Sequence, residues 1–539
     1  MEIVKTAWPA LSPFVRDYVD GRAAARARFV YPPFDATTWD ARAARLRYPA
    51  ERRAALADAL AAFNRAVGNH PAALANVERL RDPAALVVVG GQQAGLLTGP
   101  LYTVYKALTL IRVARREEAR LGRPVVPVFW IAGEDHDVAE PGHVTVLTPD
   151  RTLETVRLSI QPKARVSVSR WRLPPGELEA VVERVFALLP DTEFKPAWRE
   201  KLLAFAAESD TLVTFFARVM AELFGKHGLV LLDSGDVNLA PLKVDAFRAA
   251  VERNDDLRAA LAQNAAWFVA QGLTPQVDVR DGDAHLFWTG AGERKKLWVR
   301  DGAFVTDDGT LHLTPAELAR RVTDAPEEFS ADVVTRPLTQ EALLPVLAFV
   351  GGPGEIAYWG LYKELFALAG WEMPPVVPRL SVTLVEGTLQ KALRRAGLSP
   401  REALVDPDAL EAAWRKGLGV LDFDAAFAEA ETALADLYAR LAERFAPLGQ
   451  AARDLTEASR ARAQEGLAWL RRRLEREWEA RHEASLRQLR RVRLSLWPKD
   501  RLQERVFNVF AYLVRYDGLV DRLLDALGEP DGRHAIVLL

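Results

Sequence analysis

The chain has 539 residues, 49% of them hydrophobic and 27% charged, and a formal net charge of −2. That length exceeds a single hydrophobic core, so two or three domains are expected. The near-neutral charge gives no global electrostatic case for nucleic acid or an anionic membrane. The absence of cysteine excludes disulfides, Cys-ligated metal sites and thiol nucleophiles.

Met1–Pro13 carries an acid at Glu2 and no long apolar core, so no signal peptide is expected. No uncharged apolar run approaches the roughly 20 residues of a membrane span, and the expected compartment is the cytoplasm. Residues 14–80 read as Ala/Arg-rich helices interrupted at Asp35 and Pro49. Leu86–Val89 is short, continuous and β-branched, as expected of a strand covered on both faces. Gly90, Gly91, Gly95 and Gly99 follow, and Pro100 suits the first turn of a helix reaching about Arg120. The helix stops at Leu121-Gly122. A second strand, Val125–Ile131, completes a βαβ unit and predicts a parallel sheet.

Further apolar runs at Leu229–Leu232 and Val346–Val350 also end in small and acidic residues, and Val376-Val377 lies between prolines. In open parallel sheets ligands bind at that carboxyl edge. Alternation over Thr152–Leu173 and Pro275–Leu313 predicts antiparallel insertions. From Glu386 the composition turns to Ala, Leu, Arg and Glu. Leu434, Leu437, Leu441, Leu448 and Leu455 predict one long helix with a kink at Pro447-Leu448-Gly449. Leu467, Leu470, Leu474 and Trp478 predict a second, making a hairpin or coiled-coil arm. Trp497-Pro498-Lys499-Asp500 ends it. The expected divisions are a core over 1–385 with insertions at about 150–225 and 260–330, an arm over 386–497, and a helical tail over 498–539 that packs back on the core.

The Gly-rich turn matches neither GxxxxGK[ST] nor GxGxxG, so no standard P-loop or dinucleotide fold is supported. Gln92, Gln93, Thr98, Tyr102 and Lys106 supply polar reach around it. The helix start after Gly95 and Gly99 favours an anion. Glu134-Asp135-His136-Asp137, with Glu140 and His143, is the densest charged cluster on the presumed edge. Carboxylates and imidazole there offer Mg²⁺ or Zn²⁺ ligands, and His136 equally suits a general base or substrate orienter aided by Asp135 or Asp137. Asp233 and Ser234 end another strand. Gly352, Glu355 and Tyr358 belong to a Gly-Pro-Gly turn and its helix, where the acid can meet a substrate ammonium. Arg336 and Arg379 are candidate clamps for carboxylate or phosphate.

Together GGQQAGLLTGPLYTVYKA, PVFWIAGEDHD, LLDSGD, VVTRPLTQE, AFVGGPGEIAYW and MPPVVPRLS resemble the cysteine-adding enzymes of bacillithiol biosynthesis, the cysteine ligase family. The resemblance covers nearly the whole chain. It implies an α/β protein with a Rossmann-like parallel sheet core, connecting-peptide-type β insertions and a coiled-coil arm that makes a homodimer. It implies joining cysteine to glucosaminyl-malate, with Gln92, Gln93, Thr98, Asp135, His136, Asp233, Gly352 and Glu355 lining the active site. Amide formation in water is uphill, so the cysteine carboxyl needs activation. ATP with Mg²⁺ is the plausible energy source, with Gly95, Gly99 and Lys106 assigned to it, and the cofactor and any metal remain unidentified. His136 is expected to deprotonate the sugar amine beside Asp135, Glu355 to hold the cysteine ammonium, and Arg336 or Arg379 to meet the malyl carboxylates. The competing readings are a nucleotide-binding adaptor, or another ligase or nucleotidyltransferase on the same fold.

Overall fold

The computed structural model describes residues 1–150, 152–417 and 422–539. The chain divides into two compact units. One contains Ile3–Thr383 and Arg501–Ala535; the other is chiefly Leu384–Asp500 with Ile536–Leu539. Among the described residues no helix is long and apolar enough to cross a membrane.

The first unit is built on five strands: β1 (Leu86–Gln92), β2 (Val125–Ile131), β3 (Val230–Asp233), β4 (Val346–Gly351) and β5 (Val376–Pro378). They lie in the order β5-β4-β1-β2-β3, and every pairing is parallel. Their residues are buried almost without exception, which is why they read as continuous apolar runs without alternation. Helix α1 (Leu101–Leu121) links β1 to β2 and ends at Gly122 with φ +62°. Helix α2 (Pro353–Trp359) follows β4.

Register aligns the strand ends. Gln92 pairs with Ile131, and Ile131 with Asp233. The chain proceeds from β1 outward through β2 to β3, and β4 then appears on the other side of β1. The switch point therefore lies between β1 and β4, where two Gly-rich turns meet; in open α/β sheets this is where ligands bind.

The second expected insertion is present as a five-stranded antiparallel sheet. Its order is His312–Leu313, Ala303–Thr306, Lys295–Arg300, Asp283–Trp288 and Phe329–Ala331. Phe247, Leu286, Trp288, Leu297 and Leu318 form its core. The alternation over Thr152–Leu173 is only partly strand. Leu153–Arg157 pairs with His143–Leu147, whereas the expected strand over Arg165–Leu173 does not form. Its backbone bonds instead to the loop after β2: Val168 N donates to Asp135 O at 2.7 Å and Ser169 N to Gly133 O at 3.0 Å.

In the second unit α3 (Phe423–Arg444) and α4 (Gln450–Leu496) form an antiparallel hairpin. Tyr438 and Ser459 share a hydroxyl hydrogen bond of 2.9 Å across it. Pro447-Leu448-Gly449 is not a kink within one helix. It is the turn between two, with Gly449 at φ +86°, and Leu455 belongs to the second helix. Leucine spacing ran through the turn by coincidence of period, which is why the sequence merged the two.

Candidate active site

The turn after β1 is built under backbone strain. Leu97 and Thr98 have φ of +49° and +78°, a region costly for any residue with a Cβ and most of all for a β-branched one. Gly99 takes φ +68°, and a Cβ on Gly95 would lie 2.7 Å from Gly99 Cα. The strain is held from the C-terminal segment: Asn508 Nδ2 donates to Leu97 O at 2.6 Å and to Gly99 O at 2.8 Å. Two hydroxyls here, Thr98 Oγ1 and Thr103 Oγ1, are buried with no partner among the described residues. Buried hydroxyls are nearly always bonded, so these two are exceptions at the turn. With Gln92, Gln93, Tyr102 and Arg505 they line one cleft.

On the β4 side, Lys106 from α1 reaches back beneath the turn. It is 1% exposed and donates to Gly91 O and to Glu355 Oε2, the latter at 2.5 Å. Gln92 Oε1 lies 3.4 Å away. Burial lowers the Lys106 pKa, and the Glu355 carboxylate works against that fall. Glu355 is the third residue of α2, where its Oε2 also accepts from the N–H of Gly352, the N-cap residue, at 2.7 Å. Its Oε1 accepts from no described residue. Arg336 reaches Tyr358 Oη at 3.3 Å and Gln340 Oε1 at 3.3 Å, and packs over the Phe349 ring at 5.4 Å. Burial pushes Tyr358 up to about 12.

On the β2 side, Gln93 Nε2 donates to Asp135 Oδ2 at 2.8 Å. Asp135 Oδ1 accepts from the backbone of His136 and Asp137. His136 Nδ1 lies 2.9 Å from Arg294 Nη1, an arginine of the second insertion that the sequence did not single out. Asp233 ends β3 and accepts from Ser169 Oγ at 2.8 Å and Gly235 N at 2.9 Å. Burial raises its pKa to about 6 despite those bonds. Ser234 Oγ accepts from Glu134 N at 3.2 Å, and Glu134 is ion-paired with the buried Lys243.

The structure thus brings Gln92, Gln93, Gly95, Thr98, Gly99, Tyr102, Lys106, Asp135, His136, Gly352 and Glu355 to one edge, joined by hydrogen bonds or lining one turn. Asp233 and Ser234 flank it beyond β2. Arg379 is placed differently from a substrate clamp. Both its terminal nitrogens bond the Glu504 carboxylate at 2.8 and 3.1 Å, and the two side chains are 2% and 1% exposed. Within the charged cluster after β2, Glu134 pairs with Lys243, Asp135 accepts from Gln93 and His136 faces Arg294. Among the described residues the group with metal-ligand spacing is Asp283, His285 and Asp332. There the Lys296 ammonium lies 2.5 Å from Asp283 and supplies the positive charge itself.

A family model described as "Bacillithiol biosynthesis BshC, N-terminal Rossmann-like domain" matches residues 1–380, and the corresponding C-terminal coiled-coil model matches residues 382–539. The chain belongs to the BshC family. A relative from Geobacillus thermodenitrificans is 38% identical over the full length of both chains, and one from Geobacillus kaustophilus 37% over both full lengths. One from Anoxybacillus flavithermus is 34% identical, again with both chains covered completely. Each carries the name "Putative cysteine ligase BshC". The BshC Rossmann-like model ends at residue 380, yet Glu504, Arg505 and Asn508 of the C-terminal segment lie against the Gly-rich turn and Arg379. No local motif announces those three residues in the sequence.

Proposed function

We propose that this protein joins the carboxyl group of cysteine to the amine of glucosaminyl-malate, an amide-forming ligation carried out in the cytoplasm. The observation that carries the reading is a pair of hydrogen-bonded side-chain groups at the ends of adjacent strands, Glu355 with Lys106 and Gln92 on one side and Gln93 with Asp135 beside His136 on the other. The names of the full-length relatives support the substrate class. Glu355 Oε1, with no protein donor among the described residues, takes the cysteine ammonium. Arg336 bears no ion pair among the described residues and meets a malyl carboxylate, with Tyr358 as a neutral donor beside it. Asp135 and His136 flank the acceptor amine, and Asp233 and Ser234 close that side.

Joining a carboxylate to an amine in water needs an energy donor. The phosphates of ATP are placed at the turn after β1, where Gly95 and Gly99 let the backbone fold tightly and the Thr98 and Thr103 hydroxyls have no partner among the described residues. Arg501 and Arg505 line the same cleft and suit an anion. Lys106 stabilises the turn from below through Gly91 O. ATP with Mg²⁺, when bound, supplies the activation of the cysteinyl carboxyl; the chain's own groups bind, orient and exclude water. Two copies associate through the arm.

The test is direct. Purified protein incubated with cysteine, glucosaminyl-malate and ATP with Mg²⁺ is expected to yield a new thiol whose mass equals the two substrates less one water. The reading fails if that product is absent while other amine acceptors are cysteinylated.

A further inference from the structure

His136 has a half-buried ring, and its Nδ1 is 2.9 Å from Arg294 Nη1. A guanidinium does not lose its protons in proteins, so it can only donate. Its partner nitrogen must then offer a lone pair. In a neutral imidazole that leaves the proton on Nε2, since the bond made by one ring nitrogen sets the state of the other. A protonated ring would turn an N–H toward an N–H of a cation.

The arginine has little freedom to yield. Nε donates to Ser330 Oγ at 3.1 Å and Nη2 to Ala331 O at 2.7 Å. The guanidinium lies 3.8 Å over the Phe287 ring, and Arg294 is 7% exposed. Its backbone N–H is fixed to Arg165 O at 2.6 Å. His136 Nε2, by contrast, has no partner among the described residues, and the side chain is 26% exposed.

We infer that Arg294 is a positioning residue that holds His136 as the neutral Nε2–H tautomer, making the imidazole a hydrogen-bond donor to the bound acceptor or the developing oxyanion and not the base that takes the amine proton. The functional half rests on the ligase reading above; the tautomer does not. Four charged groups face the ring. Arg294 and Arg165 oppose its protonation, Asp135 and Asp137 favour it. Asp135 is the nearest acid, 3.7 Å from Nδ1, but its oxygens already accept from Gln93 and from the backbone of His136 and Asp137. Burial and Arg294 prevail, and the ring's pKa falls below its ordinary value.

Nitrogen-15 NMR of the histidine side chains in the full chain tests this without any substrate, with His136→Gln identifying the resonance. The expected result is an unprotonated Nδ1, a protonated Nε2 and a titration displaced below the ordinary 6.5. Arg294→Met removes one of the two main lowering influences and is expected to move the titration upward and free Nδ1 to carry the proton. A proton on Nδ1, or titration near 6.5 in the unmutated chain, overturns the inference even if Arg294→Met does not fold. Cysteine addition gives the second readout. The Gln amide replaces an Nε2–H donor, so His136→Gln should stay within about tenfold of the parent while His136→Ala falls about 10²–10³-fold, the cost of a lost oxyanion donor. Equal losses in both would mean a base. If the parent chain ligates nothing but the NMR result holds, the function is wrong and the positioning stands.

Discussion

Asp233 shows how a single carboxyl can report its surroundings. It is 6% exposed, and burial outweighs the Ser169 and Gly235 hydrogen bonds, setting its pKa at about 6 against 3.8 in the unfolded chain. Below about pH 4 both states hold the proton. Between about 4 and 6 the unfolded chain releases it first, so stability falls as pH rises, and above 6 the loss is complete. The cost is on the order of 3 kcal/mol. Asp233→Asn keeps an oxygen to accept both hydrogen bonds and removes the ionisation. Its urea midpoint should lie close to the parent's near pH 4, exceed it by a margin that grows up to about pH 6, and hold that margin to pH 7. A constant offset across that range would show that burial does not govern this group.

At the scale of elements, the turn after β1 depends on a segment more than 400 residues away in the chain. Asn508 supplies both carbonyls flanking Thr98 with a donor. Asn508→Ala leaves those carbonyls without it, a loss of about 2–3 kcal/mol, and frees Leu97 and Thr98 to leave positive φ. Hydrogen exchange should then rise at residues 97–101 while β2 and β3 stay protected; unchanged exchange there would mean the turn holds itself. This dependence also explains what was legible in the sequence. The strand, turn and helix from Leu86 to Leu121 could be read because period, glycine and proline act locally, and so could the pairing of strand ends at one edge. Arg294 could not: it is one cation among 71, and its partner His136 lies 158 residues away. Arg379 looked available because Glu504 is 125 residues away in the chain. The segment over Arg165–Leu173 alternates like a strand but bonds to a loop, a tertiary choice that periodicity does not encode.

At the scale of the whole molecule, the arm carries apolar side chains that its own hairpin does not cover. Leu455 is 72% exposed, Leu448 71% and Trp469 57%, with Leu437, Leu470 and Leu474 between 40% and 46%. Single exposed leucines are ordinary, but these six large apolar side chains on one hairpin, one on α3, one in the turn and four on α4, suit an interaction surface. The face sits on helices whose remaining positions are rich in Arg and Glu, as in coiled-coil seams, where apolar positions pair and charged neighbours set the register. The homodimer proposed above would cover it with a second copy of the same hairpin, since a two-fold interface is self-complementary. Sedimentation equilibrium should therefore give twice the chain mass of 59.8 kDa. Leu455→Glu combined with Trp469→Glu places charges within the seam and should give the single-chain mass with unchanged helix content, since both side chains are solvent-facing within one copy. A variant that remains dimeric would move the interface off the arm. A parent chain that sediments at 59.8 kDa would leave these leucines to some other partner and remove homodimerisation from the account of this protein.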